Sequence, residues 1–154
     1  MRLTVTVRRA EERDLDVLAG YEVRIAEISF PDDPIVDRAA HRSRLQKAMD
    51  RDGAGMFVAV EPPGDRVVGW LWVSLNTNFT TRTPYAHFRS LAVEPGMEGR
   101  GVAEELIRRG LDHARQHGMP EVLGRVHVSN VPMRLVYREF GFRPQHLTMR
   151  RTLR

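Results

Sequence analysis

The chain has 154 residues, 42% of them hydrophobic and 29% charged, which fits one soluble globular domain over residues 1–154. It contains no cysteine, so disulfide frameworks, thiolate metal sites and a cysteine nucleophile are excluded. The net charge is +4, and Lys47 is the single lysine, so 23 of the 24 basic residues are arginines, which fork onto phosphate or carboxylate.

Leu3–Arg9 alternates apolar and polar side chains, the pattern of a half-buried strand. From Glu11 to Ile28, Leu15, Leu18, Ile25 and Ile28 recur at helical spacing behind an acidic start. Asp33 followed by Pro34 reads as an N-cap with proline at the first helical position. That second helix is expected to run to Met49. The period then shortens. Met56–Val60 is a strand, Pro62 to Asp65 a turn and Val67–Leu75 a long strand, together a hairpin. Asn76–Pro84 is a polar loop and Ala86–Val93 another strand. Arg100–His117 is the clearest helix, with Val102, Ala103, Leu106, Ile107, Gly110, Leu111 and Ala114 on one stripe. Glu104–Arg108 and Glu105–Arg109 are i,i+4 pairs on its other face. Glu121–Val128 reads as a strand, Pro132–Phe140 as a short helix, and Gly141–Leu153 as a final strand or hairpin. The order β-α-α-β-β-β-α-β-α-β predicts an α/β fold. Its sheet is mixed, mostly antiparallel, of six to seven strands with about four helices.

The crossover from Ala86 to Val128 carries the chemistry. A strand ends at Val93, and Glu98-Gly99-Arg100-Gly101-Val102-Ala103 opens the long helix. The first amides of a helix are unpaired and partly positive, and glycines let the backbone approach an anion. A pyrophosphate site is the physical reading. The stretch lacks the lysine of a Walker loop. It has Glu104 where a dinucleotide-binding turn needs its third glycine.

From Phe88 to Phe142 the chain resembles the GCN5-related N-acetyltransferase (GNAT) superfamily. The resemblance rests on Leu91-Ala92-Val93 as the strand motif and on Glu98 to Ala103 as the acetyl-CoA loop. It extends to Asn130 after the next strand, and to Tyr137 followed by Gly141-Phe142. One departure is Glu98, which stands where the family usually has arginine or glutamine. The resemblance implies an acetyl-CoA-dependent transfer to a primary amine by direct attack in a ternary complex, with no metal. It implies that backbone groups of Leu91 and Val93 pair with the pantetheine arm, and that an N–H near Leu91 polarises the thioester carbonyl. Coenzyme A (CoA) would be held by Leu91, Ala92, Val93, Glu98, Gly99, Arg100, Gly101, Val102 and Ala103. Asn130 would touch its amides or cap the last helix, and Arg134 would reach its adenosine phosphate.

Tyr137 is the candidate general acid for the leaving thiolate. His87 is the candidate base, with His127 second. Strand alternation places His87, Arg89, Leu91 and Val93 on one face. Arg89 stands where the family often has a carboxylate, and it could bind a carboxylated acceptor. Glu27, Asp32 and Asp33 are near the first helix–helix loop, which often frames the acceptor in the family. Arg138 shares a helix face with Arg134. Trp70 and Trp72 share one face of the long strand, in a core, an acceptor wall or a dimer face.

Three further readings stay open: another acyl donor or a hydroxyl acceptor, a non-catalytic acyl-CoA sensor, and a nucleic-acid module. The arginines are scattered rather than clustered, which argues against nucleic acid as partner. No apolar run approaches the ~20 residues of a membrane span, and no signal-peptide pattern opens the chain, so a cytoplasmic address without membrane contact is expected. A homodimer fits the family's habits. The arginine bias hints at a GC-rich bacterial genome. The acceptor, a small-molecule amine or a peptide or protein amine, is not legible.

Overall fold

A computed structural model describes residues 5–32 and 34–153. Leu3 and Asp33, invoked above, lie outside the described residues.

The strands are β1 (Thr6–Arg9), β2 (Met56–Glu61), β3 (Arg66–Thr77), β4 (Pro84–Val93) and β5 (Val122–Gly124). The helices are α1 (Leu15–Ser29), α2 (Arg38–Asp52), α3 (Val102–Gln116) and α4 (Val131–Glu139). The strands lie side by side in chain order. β1 to β4 pair antiparallel, and β5 joins β4 in parallel after the α3 crossover.

Two apolar layers sandwich the sheet. One holds Phe57, Leu71, Val73, Phe88, Leu106, Ile107 and Tyr137 beneath α3 and α4. The other holds Leu15, Leu18, Leu45, Val58, Trp70 and Trp72 beneath α1 and α2. The tryptophans are core residues. The Trp70 indole N–H donates to the buried Glu22 carboxylate at 3.2 Å, and that of Trp72 to Asp52 at 3.1 Å.

The element order follows the expectation up to α4 and then departs from it. Among the described residues the sheet has five strands, not six to seven. Residues 141–153 form no ladder, and Leu147, Met149 and Leu153 are exposed. A period-two pattern reports an apolar face, not a neighbour to pair with, and Pro144 removes one donor. β5 is three residues long, ending four residues before the expected Val128.

Helix α2 begins at Arg38 rather than Pro34. Asp37 supplies the cap, its carboxylate accepting from the amides of Ala39 and Ala40 at 3.0 and 3.2 Å. On α3, Glu105 pairs with Arg108 instead of Arg109. The Arg109 guanidinium lies over the Phe57 ring, 5.2 Å from its centroid.

Candidate active site

The site grows from one irregularity in β4. Trp72 opposes Ser90 and Val73 opposes Phe88, which leaves Arg89 as an extra residue, a β-bulge. The bulge inverts the alternation. Ala86 and Phe88 face the α3 layer before it, and Leu91 and Val93 face the same layer after it, while Ala92 turns to the α1–α2 layer. The expectation that His87 shares a face with Leu91 and Val93 fails for this reason. His87 takes the face opposite Phe88.

The same irregularity frees a sheet edge. β5 pairs only with Ala86, His87 and Phe88. The Glu94 amide donates to the Val68 carbonyl at 2.9 Å. Alternate residues of an antiparallel strand bond to one neighbour, so Ala92 turns its backbone groups to β3. Those of Leu91 and Val93 turn outward, into the gap where β4 and β5 part. Arg24 of α1 reaches the outward Val93 carbonyl at 3.4 Å.

A cleft of about 270 Å³ occupies this gap. Leu91, Ala92 and Val93 line it along β4, and Glu98, Gly99, Val102 and Ala103 line it at the start of α3. Gly96, Gly99 and Gly101 have φ of +88°, +77° and +87°, a left-handed conformation that favours glycine. Gly101 is the N-cap residue of α3. The turn thus delivers the unpaired first amides of α3 beside the cleft.

Glu98 does not leave its charge loose there. Its carboxylate accepts the Gly96 amide at 2.8 Å and folds onto its own turn. Glu98→Gln keeps an acceptor for that amide and removes the charge. Its expected effect is a several-fold gain in CoA affinity, fading as salt rises, by titration calorimetry. Unchanged or weaker binding would show that the carboxylate does not face the anion.

Tyr137 sits where the fork closes. It is 7% exposed, and its ring packs 4.8 Å from Phe142 and 6.5 Å from Phe88. An ideal Cβ at Gly124, the last residue of β5, would lie 3.1 Å from its hydroxyl oxygen. Burial raises the phenol pKa above its ordinary value. The hydroxyl bonds to no described residue, and Tyr137 lines the cleft.

Asn130 also lines the cleft and caps α4, its side chain accepting the Met133 amide at 3.4 Å. His127 Nδ1 accepts the Ser129 amide at 3.1 Å. His87, Arg100, Gly101 and Arg134 do not line the cleft. Arg134 turns back to the Val128 carbonyl at 2.8 Å. His87 is partly buried. Burial, then the charges of Arg89 and Arg125, lower its pKa below the ordinary value. Asp32 pairs with Arg150 at 3.1 Å.

Two charged cleft residues escaped the sequence reading. Arg125 carried only its place inside the expected Glu121–Val128 strand. Arg24 carried only its place beside Ile25 and Ile28 on one helical stripe, and all three line the cleft.

Residues 22–142 match the profile of the acetyltransferase (GNAT) family. The chain belongs to that family. Among curated relatives, the mycothiol acetyltransferase of Thermobifida fusca is 34% identical over 94 residues, covering 59% of this chain and 29% of that protein. The mycothiol acetyltransferase of Saccharomonospora viridis is 35% identical over 94 residues, covering 59% and 30%. The chain thus spans about a third of the length of these relatives. Among solved structures, a transcriptional regulator from Bacillus halodurans C-125 superposes with a TM-score of 0.76 at 19% identity, covering 97% of this chain and all of that one. The AAC(6')-Iy structure, in complex with a CoA-containing bisubstrate analogue, gives 0.76 at 18% identity, covering 98% and 99%. These likenesses speak for the fold. Among the described residues no group of side chains is arranged to hold a metal, and no helix is long and apolar enough to cross a membrane.

Proposed function

We propose that this GNAT chain transfers an acetyl group from acetyl-CoA to a primary amine by direct attack in a ternary complex. The observation that carries the reading is the free edge of β4 at Leu91 and Val93. It leads from the α3 turn at one end to the Tyr137 hydroxyl at the other. The relatives' names support acetyl transfer.

The residues present fit coenzyme A. Outward backbone groups of Leu91 and Val93 offer an extended, amide-bearing ligand the bonds a neighbouring strand would make. The amides of Val102 and Ala103 and the Arg24 guanidinium offer positive charge to a pyrophosphate. Acetyl-CoA supplies the electrophilic thioester carbon. In the transfer a C–N bond forms, the C–S bond breaks, the amine loses a proton and the thiolate gains one. The Leu91 N–H stabilises charge on the carbonyl oxygen, and the Tyr137 hydroxyl donates the proton to sulfur.

His87 stands outside the cleft lining, so in this reading it takes the amine proton through water rather than by direct contact. A base works in its neutral form, so kcat at saturating acceptor should fall as pH drops through a value below 6.5, the ordinary histidine pKa. His87→Gln should remove that limb. A limb that survives the substitution assigns the base elsewhere.

The direct test is thermal unfolding with acetyl-CoA, coenzyme A, NAD and ATP in parallel. A ligand at about 100 times its Kd adds ~2.7 kcal/mol, or roughly 5–10 °C for a chain of this size. Only the two CoA compounds should raise the midpoint. An equal rise with NAD or ATP, or none at all, defeats the reading.

A further inference from the structure

The closed end of the cleft carries more positive charge than acetyl transfer requires. β4 and β5 part after the Phe88–Gly124 pair. The next residue on each arm is an arginine, Arg89 and Arg125. Both are exposed and both line the cleft. The Arg89 guanidinium lies over the Trp72 ring, 4.8 Å from its centroid. That ring is 2% exposed and tied to Asp52. The contact fixes the guanidinium face and leaves its N–H edge unspent.

Neither arginine makes a hydrogen bond or ion pair with a described residue. The carboxylates lining the cleft, Glu98 and Glu104, belong to the opposite end, at the α3 turn. Burial first, and then the charges of both arginines, lower the pKa of His87 on β4. Like charges flanking a partly desolvated cleft repel, and an anion between them relieves the repulsion.

We propose that the acceptor is an amine that also carries an anionic group, a carboxylate or a phosphate, held by Arg89 and Arg125 while the amine faces the thioester. This rests on the acetyl-transfer reading and adds the substrate class. Both anions accept the arginine fork. CoA phosphates are the competing source of negative charge, and they belong at the α3 end, along the length of the cleft from the fork.

The test uses matched amines that differ in the anion: phenylalanine against phenylalaninamide, and ethanolamine phosphate against ethanolamine. Each is added to the protein saturated with coenzyme A, reading the unfolding midpoint, and to the acetyl-CoA reaction, reading KM. The anionic member of at least one pair should raise the midpoint further. Its KM should lie about 10-fold or more below that of its neutral partner. The pair that responds identifies the anion. Arg89→Ala with Arg125→Ala should erase the advantage and leave the rise caused by coenzyme A alone intact. The proposal is overturned if neutral members bind as well, if no member binds, or if the advantage survives in the double variant. It is overturned too if that variant loses the coenzyme A response, which would assign the arginines to CoA phosphates. A wild-type protein that ignores coenzyme A defeats the acetyl-transfer reading first, before any amine is added.

Discussion

Tyr137→Phe is expected to lower kcat about 100-fold or more, within the usual range for losing a general acid, and to leave the CoA-induced rise in midpoint unchanged. The substitution removes one oxygen atom. The ring keeps its contacts with Phe88 and Phe142, and no hydrogen bond to a described residue is lost. Stability should therefore hold. A kcat within a few-fold of wild type would deny the hydroxyl any part in protonating the thiolate. A large loss of stability would give the oxygen a structural role instead. Steady-state rates by thiol release suit the measurement, because the protein contributes no thiol of its own.

Phe88→Ala should be the most damaging single truncation in the sheet. Phe88 is 2% exposed and lies under both α3 and α4, its ring 5.8 Å from that of Phe142. Its Cζ would stand 2.6 Å from an ideal Cβ at Gly110. The ring thus fills space against bare helix backbone, with the Leu71 side chain beside it at that point, 2.7 Å from the same ideal Cβ. Phenylalanine truncations in such sites cost ~3–5 kcal/mol, a fall in midpoint of roughly 6–20 °C at this chain length. Urea unfolding measures the free energy directly. A loss under ~1 kcal/mol would mean that α3 settles onto the sheet and closes the gap. Loss of Phe88 also removes one wall beside Tyr137, so turnover should drop even where the protein remains folded.

Much of the fold was legible because its signals are local. The apolar stripe of α3 recurs over four turns, and Val102, Ala103, Leu106, Ile107, Gly110 and Ala114 are buried as their spacing requires. The turn before it was legible from glycines that the backbone needs at positive φ. The missing last strand was not, since alternation at Leu147 and Met149 is the same whether or not a neighbour stands beside it. The start of α2 was misplaced because two aspartates near the loop, Asp33 and Asp37, each look like a cap. In the site, Tyr137 and Leu91 could be found from short motifs. Arg24 and Arg125 could not, because what brings them to the cleft is the packing of α1 and the parting of β4 from β5. The bulge left no mark in composition, and simple alternation therefore carried His87 onto the wrong face.

That bulge also limits how the gene can vary. Exchanging Arg89 for another side chain leaves the strand in phase. Deleting it, or inserting one residue beside it, forces one half of β4 to turn over. Either Phe88 leaves the α3 layer, or Leu91 and Val93 do and their free backbone edge turns inward. Between Phe88 and Ser90 the coding sequence is open to changes of spelling and closed to changes of length.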